Sequence, residues 1–272
     1  MGCLKLSYCS DATLPKVMYG ESVLSEKSAQ IWIIVDPLSD KYPSLSPYNY
    51  CANNPIRMTD PNGMEWEIDG IKYTPGSACP DGVDPKTQDK WNTMNKAYST
   101  KEGKTVIDEM NGEGKLYKVS SEKKGSGDGL YESNRDGTGG TIYTNGNDND
   151  IEVLSHELFH GYQDHNGQNG LNVPNEVEAY LFGAIIKHDL VGGKDMGMLG
   201  TAVQDPSVEN YNKALGVFSN FSSMSDSDFQ SNFKSLTSGF KQFSFANETG
   251  LYKNAPSNRP KGHTNLIRNF FK

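Results

Sequence analysis

From residue 84 onward, apolar positions recur at helical spacing, broken by short stretches that alternate. Asp84-Pro85 reads as a helix cap followed by a first-turn proline, and Trp91, Met94, Ala97 and Tyr98 line one face of the helix it opens. Residues 101–110 predict a second helix, stopped at Asn111-Gly112, and residues 115–119 alternate as a strand does. Residues 123–140 are rich in Gly, Ser and charge and predict a mobile loop; residues 141–144 predict a short strand closed by Asn145-Gly146. Asp148 or Asp150 can cap a helix over 151–164, and a further helix is expected over 174–188, ended by Gly192-Gly193. Two amphipathic helices close the pattern, over 206–218 (Val208, Tyr211, Ala214, Leu215, Phe218) and 226–240 (Phe229, Phe233, Leu236, Phe240), their aromatics read as core. The expected class is α+β: a small mixed sheet, one helix beneath its edge, and a mostly helical C-terminal half.

The first third has a different texture. Residues 1–35 show no clear period and are treated as a divergent N-terminal segment. Residues 36–66 are dense in turn dipeptides (Asp36-Pro37, Ser46-Pro47, Asn54-Pro55, Asp60-Pro61, Asn62-Gly63), residues 67–83 read as a linker, and residues 84–272 as one domain. A chain of 272 residues allows one large or two modest domains at roughly 150 residues each. Its mean hydropathy of -0.65 is low, yet 14 Tyr, 11 Phe and 3 Trp supply a core and exclude wholesale disorder. The longest strictly apolar run, residues 31–35, falls far short of the roughly 20 residues of a membrane span. A net charge of -8 excludes nucleic acid as the natural partner. Cys3, Cys9, Cys51 and Cys79 lack paired C-x-x-C spacing, so no cysteine metal knuckle is expected. No apolar stretch of an ordinary secretory signal is visible, and Leu6 stands where a myristoylation pattern wants Ser or Thr.

The chemistry concentrates in one segment, Val153-Leu-Ser-His156-Glu157-Leu-Phe-His160-Gly161. Histidines four apart on a helix project from one face and can bind one metal, while Glu157 sets a carboxylate beside it without taking a coordination position. With 5 histidines in the chain, H-E-x-x-H arises by chance with a probability of roughly half a per cent. A catalytic zinc needs a third protein ligand. His165 does not fit the metzincin spacing, since Gln163 and Asn166 occupy its Gly and His positions, and Asp164 falls a full turn beyond the metal. Glu176 and Glu178 remain; being about 200° apart on a helix, only one can face the zinc. Below Glu176 lie Ala179 and Gly183, which allow close approach, whereas Leu181, Phe182 and Ile185 lie below Glu178. Glu176 is the expected ligand, and the other carboxylate would serve as an outer partner that orients a histidine.

Zn2+ bound by His156, His160 and Glu176 would activate water, with Glu157 as general base and later proton donor to the leaving amine. The strand at 141–144 is expected to pair with an extended substrate, and Tyr143, Tyr162 and Tyr180 are candidate donors to the developing oxyanion.

These motifs carry two resemblances. His156-Glu157-x-x-His160 with Glu176-x-x-Ala179 is similar to the gluzincin-like zinc peptidases, in which a Glu on the next helix is the third ligand; Tyr180 stands where many of them have Asp. With Thr100-x-x-Gly103 and the helix and strand before the motif, residues 90–190 look like injected effector metallopeptidases of bacteria, which implies a zincin-like fold. Separately, the stretch from Asp36-Pro-Leu-Ser-Asp40 through Asn53-Asn-Pro55 to Asp60-Pro-Asn-Gly63 closely resembles the end of the Rhs repeat-associated core. In that family a β shell encloses a C-terminal toxin released by an aspartyl autoprotease. The resemblance makes Asp36 and Asp60 the cleavage-related aspartates, with a junction near Met64, although the first motif lacks the family's glycine.

Together they imply a zinc endopeptidase as the effector domain of an Rhs-type polymorphic toxin, secreted or delivered into a target cell by a specialised system. Its partners would be a protein or peptide substrate and an immunity protein. The alternatives are a catalytically dead Rhs cassette remnant and a zinc hydrolase of cell-wall peptide.

Overall fold

The computed structural model describes residues 65–111, 114–193, 206–242 and 252–271. Asp36, Asp60 and the rest of the Rhs-like stretch to residue 64 lie outside them. Residues 66–110 and 116–272 form one compact unit.

Its class is α+β, with six α-helices among the described residues and one mixed sheet of five strands. In chain order these are β1 (Glu65–Ile68), β2 (Ile71–Tyr73), α1 (Pro85–Ser99), α2 (Lys101–Met110), β3 (Leu116–Ser120), β4 (Leu130–Ser133), β5 (Gly139–Tyr143), α3 (Ile151–His165), α4 (Val173–Leu190), α5 (Pro206–Gly216) and α6 (Asp226–Phe240), with 3-10 turns at Val217–Ser223 and Ile267–Phe271. The strand order is β2-β1-β3-β5-β4; β5 runs parallel to β3 and antiparallel to β4.

The helices begin where the caps direct. Asp84 accepts hydrogen bonds from the Lys86 and Thr87 amides, and α1 buries Trp91, Met94 and Ala97. Thr100 divides α1 from α2: its hydroxyl donates to the Ala97 carbonyl and accepts from the Gly103 amide. The turn is so tight that a Cβ on Gly103 would stand 2.1 Å from the Ala97 oxygen, which accounts for the Thr-x-x-Gly spacing. Of the two possible caps for α3, Asp150 serves, accepting from the Glu152 and Val153 amides. Asp148 instead accepts from Thr144 and pairs with Lys90.

Two segments differ from expectation. Residues 67–83, expected as a linker, contain most of the β1–β2 hairpin, with Trp66, Ile68 and Tyr73 buried. Its turn is Asp69-Gly70, both at positive φ, the geometry that matches strand twist in a two-residue hairpin. Residues 123–140, expected as a mobile loop, contain β4. The approach to β4 is pinned by side chains: Asn145 donates to the Lys124 and Gly127 carbonyls and Asn147 to that of Asp128. This alters the expected docking strand. β5, which includes residues 141–143, is paired on both sides, so β4 carries the free edge on that side of the sheet.

α3 lies beneath β5 and β4 and packs most extensively on α4. Asp164 ties α3 to the edge strand by accepting from the Tyr131 hydroxyl at 2.8 Å and the Ser133 hydroxyl at 2.7 Å. On the far side of the sheet order, Lys90 is fully buried; its ammonium sits 2.8 Å from Asp69 and 3.5 Å from Asp148 and donates to the Lys86 carbonyl. One cation thus joins the hairpin turn, α1 and the loop into α3. Lys90→Met would leave two partly buried carboxylates facing each other, and we expect it to lower the unfolding free energy by about 3 kcal/mol in urea titrations.

Candidate metal centre

α3 carries His156 and His160 one turn apart on the face turned toward α4. Asn172 caps α4 by accepting from the Asn175 amide, and this start places Glu176 in the first turn, level with the two imidazoles. Gly183 eases this approach: a Cβ there would lie 3.3 Å from the Glu152 carbonyl oxygen of α3, tighter than an ordinary contact.

Three ligand residues converge. His156 Nε2 and His160 Nε2 are 3.1 Å apart, Glu176 Oε1 is 3.2 Å from the first, and Glu176 Oε2 is 3.4 Å from the second. Zinc bonds of about 2.0 Å in tetrahedral geometry space ligand atoms about 3.3 Å apart, a spacing that each imidazole nitrogen has to its partner and to one of the two Glu176 oxygens. The donor set of two imidazoles and a carboxylate suits zinc as well. The histidine side chains retain 12% and 22% exposure, which leaves the triad reachable from solvent. Among the described residues these three form the one such group of His, Cys, Asp and Glu side chains.

His160 and Glu176 are held from behind. His160 Nδ1 lies 2.9 Å from Gln163 Oε1, and Gln163 Nε2 donates to the Asn175 carbonyl and to Glu178 Oε2. Glu178 is fully buried and faces away from the triad; Arg259 Nη1 donates to its Oε2 at 3.0 Å, and Nη2 lies 2.9 Å from Oε1 as an ion pair out of line for a hydrogen bond. Glu176 Oε1 accepts from the Tyr252 hydroxyl at 2.7 Å. The Tyr180 ring packs on His156 with centroids 4.3 Å apart, while His156 Nδ1 is buried with no hydrogen-bond partner among the described residues.

Glu157 is nearly buried and lies against the glycine that precedes β4. A Cβ on Gly129 would stand 2.8 Å from Glu157 Cγ and 2.9 Å from its Oε1. Of the tyrosines considered, Tyr180 is beside the triad. Tyr162 instead donates to Glu109, and the Tyr143 ring lies under the Lys124 ammonium. His165 Nδ1 is engaged with the Tyr117 hydroxyl, and Asp164 with β4. Gln163, Arg259 and Tyr252 escaped sequence reasoning. Gln163 follows His160 by three residues, a spacing that brings side chains together on a helix; the other two lie more than 75 residues from their partners, in a stretch without period.

Burial of His160 disfavours its charge, but the Glu176 carboxylate overcomes this and holds the imidazolium up to about 9. Glu176 is likewise opposed by burial yet is kept well below the usual carboxylate range by His160 and His156. Burial pushes the Glu178 carboxyl upward, with Arg259 resisting. The Tyr180 and Tyr252 hydroxyls are driven far above ordinary phenols by burial and then by Glu176, so both stay protonated. Compared with protein-family descriptions, curated proteins and solved structures, the chain has no match.

In chelator-stripped protein the His160 contribution to stability is complete below pH 6.5, because its folded value exceeds the unfolded one, and it is lost as pH rises toward 9. The Glu176 contribution is present above pH 4.5 and lost as pH falls. The melting temperature of stripped protein should therefore decline between pH 6.5 and 9. Zinc addition at pH 7 should release about one proton, read by calorimetry in buffers of different ionisation enthalpy; release near zero would contradict the protonated His160.

Proposed function

We propose that the compact unit beginning at Trp66 is a zincin-like zinc peptidase, and that the Rhs-like stretch before it marks this domain as the effector of an Rhs-type toxin delivered into a target cell. The observation that carries the reading is the convergence of His156, His160 and Glu176 on two adjacent helices, with Glu157 between them and the free-edge strand β4.

Bound zinc would supply a water of pKa about 7 and polarise a scissile carbonyl. Glu157 takes the proton of the attacking water at its carboxylate and returns it to the leaving amine. β4 offers its unpaired backbone to an extended substrate, which lays the scissile bond across α3. Asp164 fixes the distance between that strand and the helix through Tyr131 and Ser133. Tyr180, whose ring packs on His156 and whose hydroxyl burial keeps protonated, is the candidate donor to the developing oxyanion. In this role the partners are a protein or peptide substrate and an immunity protein. Among the described residues no helix is long and apolar enough to cross a membrane.

Zinc-loaded protein should cleave members of a peptide library, and Glu157→Gln should bind zinc with unchanged stoichiometry while cleaving at least about 100-fold more slowly. Equal cleavage by the variant would move the activity away from this site, and turnover confined to cell-wall peptides would change the substrate class. Gly129→Ala should cut kcat about 10- to 100-fold by displacing Glu157, with zinc affinity unaltered because no ligand is touched.

A further inference from the structure

We infer that Arg259 and Glu178 are positioning residues for the metal centre, acting on His160 through the side-chain amide of Gln163. The inference rests on the zinc reading above and adds residues that never touch the metal.

The logic lies in the two ends of one amide. Gln163 Nε2 has two acceptors, the Asn175 carbonyl at 2.9 Å and Glu178 Oε2 at 3.1 Å. With its NH2 end engaged there, the oxygen end faces His160 Nδ1 at 2.9 Å and accepts a proton from it. A proton on Nδ1 leaves the lone pair of a neutral imidazole on Nε2, the atom that faces His156 and Glu176. Turned over, the same amide would present its NH2 to Nδ1, favour the other tautomer and put a proton where the metal belongs. Glu178 holds the amide against that turn, and Arg259 holds Glu178. Arg259 Nη1 also donates to Asn175 Oδ1 at 2.9 Å, so the guanidinium braces the residue that supplies the other acceptor. The Ile267 amide completes the carboxylate's partners at 3.4 Å. The Gln163–Glu178 and Gln163–Asn175 links are buried and the outer two partly so, which limits the replacement of a lost partner by bulk water.

This arrangement makes the centre depend on a segment about 80 residues downstream. The same segment reaches Glu176 through Tyr252 and the start of α4 through the Pro256 carbonyl, which accepts from the Val173 amide. A purely structural role for Arg259 would lower the melting temperature and leave the zinc affinity of the folded protein alone. A positioning role changes the affinity itself.

The test is the zinc Kd by chelator competition, well below the melting temperature, on the full chain as wild type, Gln163→Leu, Arg259→Met and the double variant, with Co2+ visible spectra beside it. Gln163→Leu and Arg259→Met should each weaken zinc binding about 10- to 100-fold and alter the cobalt spectrum. The double variant should be no weaker than the poorer single one, since both cut one chain. Unchanged affinity in folded Arg259→Met, or effects that multiply in the double variant, would overturn the inference. If Arg259→Met does not fold, Arg259→Lys replaces it: a compact ammonium on a shorter stem cannot reproduce the planar guanidinium that meets both Glu178 and Asn175, so binding should weaken about 3- to 10-fold, and an unchanged Kd would again overturn the inference. Wild-type protein that takes up no zinc removes the metal reading itself, an outcome distinct from intact wild-type binding with indifferent variants.

Discussion

Everything at this site depends on how near two helix backbones can come. A carboxylate in the first turn of one helix meets two imidazoles on another only if the crossing is close, and Gly183 against the Glu152 carbonyl favours that. α4 is buried around most of its circumference, with Val177, Leu181, Phe182, Ile185 and Ile186 held on several sides. A helix so enclosed has little freedom to rotate, and its rotation decides which of two nearby carboxylates faces α3.

Glu176 and Glu178 show how one helix carries two buried carboxylates in different roles. About 200° apart, they look into opposite environments. Glu176 faces two imidazoles and the Tyr252 hydroxyl, an assembly of converging donors. Glu178 faces a guanidinium fork, an amide and a backbone N–H, which leave its oxygens committed. An uncompensated carboxylate at either position would cost several kcal/mol, so each is legible by its neutralising partner. Sequence offered both as ligand candidates; the partners separate them, and one of those partners is Arg259, which nothing near the motif announces.

How much the sequence made legible tracks the range of the interactions. α2 and α6 were predicted to the residue at both ends, because caps and periodicity act within a few residues. His156, Glu157 and His160 were legible for the same reason. Glu176 was reachable through the stripe of small residues below it, a consequence of packing written locally. β4 was hidden, since an edge strand of four residues between glycine-rich flanks lacks the alternation that identifies strands, and it is held by β5 and Asp164, with its approach fixed by Asn145 and Asn147. The β1–β2 hairpin carried a usable Asp69-Gly70 signal that its short strands obscured. Tyr252 and Arg259 had no local signal.

A short metal motif is therefore only the innermost layer of a site assembled over increasing separations. The imidazole pair is four residues apart, the carboxylate arrives 16 residues after His160 on the next helix, and the partners that fix ring and carboxylate come 76 and 81 residues after the carboxylates they hold. Local order alone would present His156 and His160 on α3 whether or not the rest existed. Converting two surface-facing histidines into a defined centre requires α4 to be held in register and each ligand atom to be oriented, and both requirements fall on residues 252–267 as much as on α3. A chain that kept H-E-x-x-H but lost the Arg259 fork would keep the motif and still present Nε2 in a mixture of protonation states. The spacing of the motif records which residues can meet; the distant, buried partners orient His160 and Glu176 where they meet.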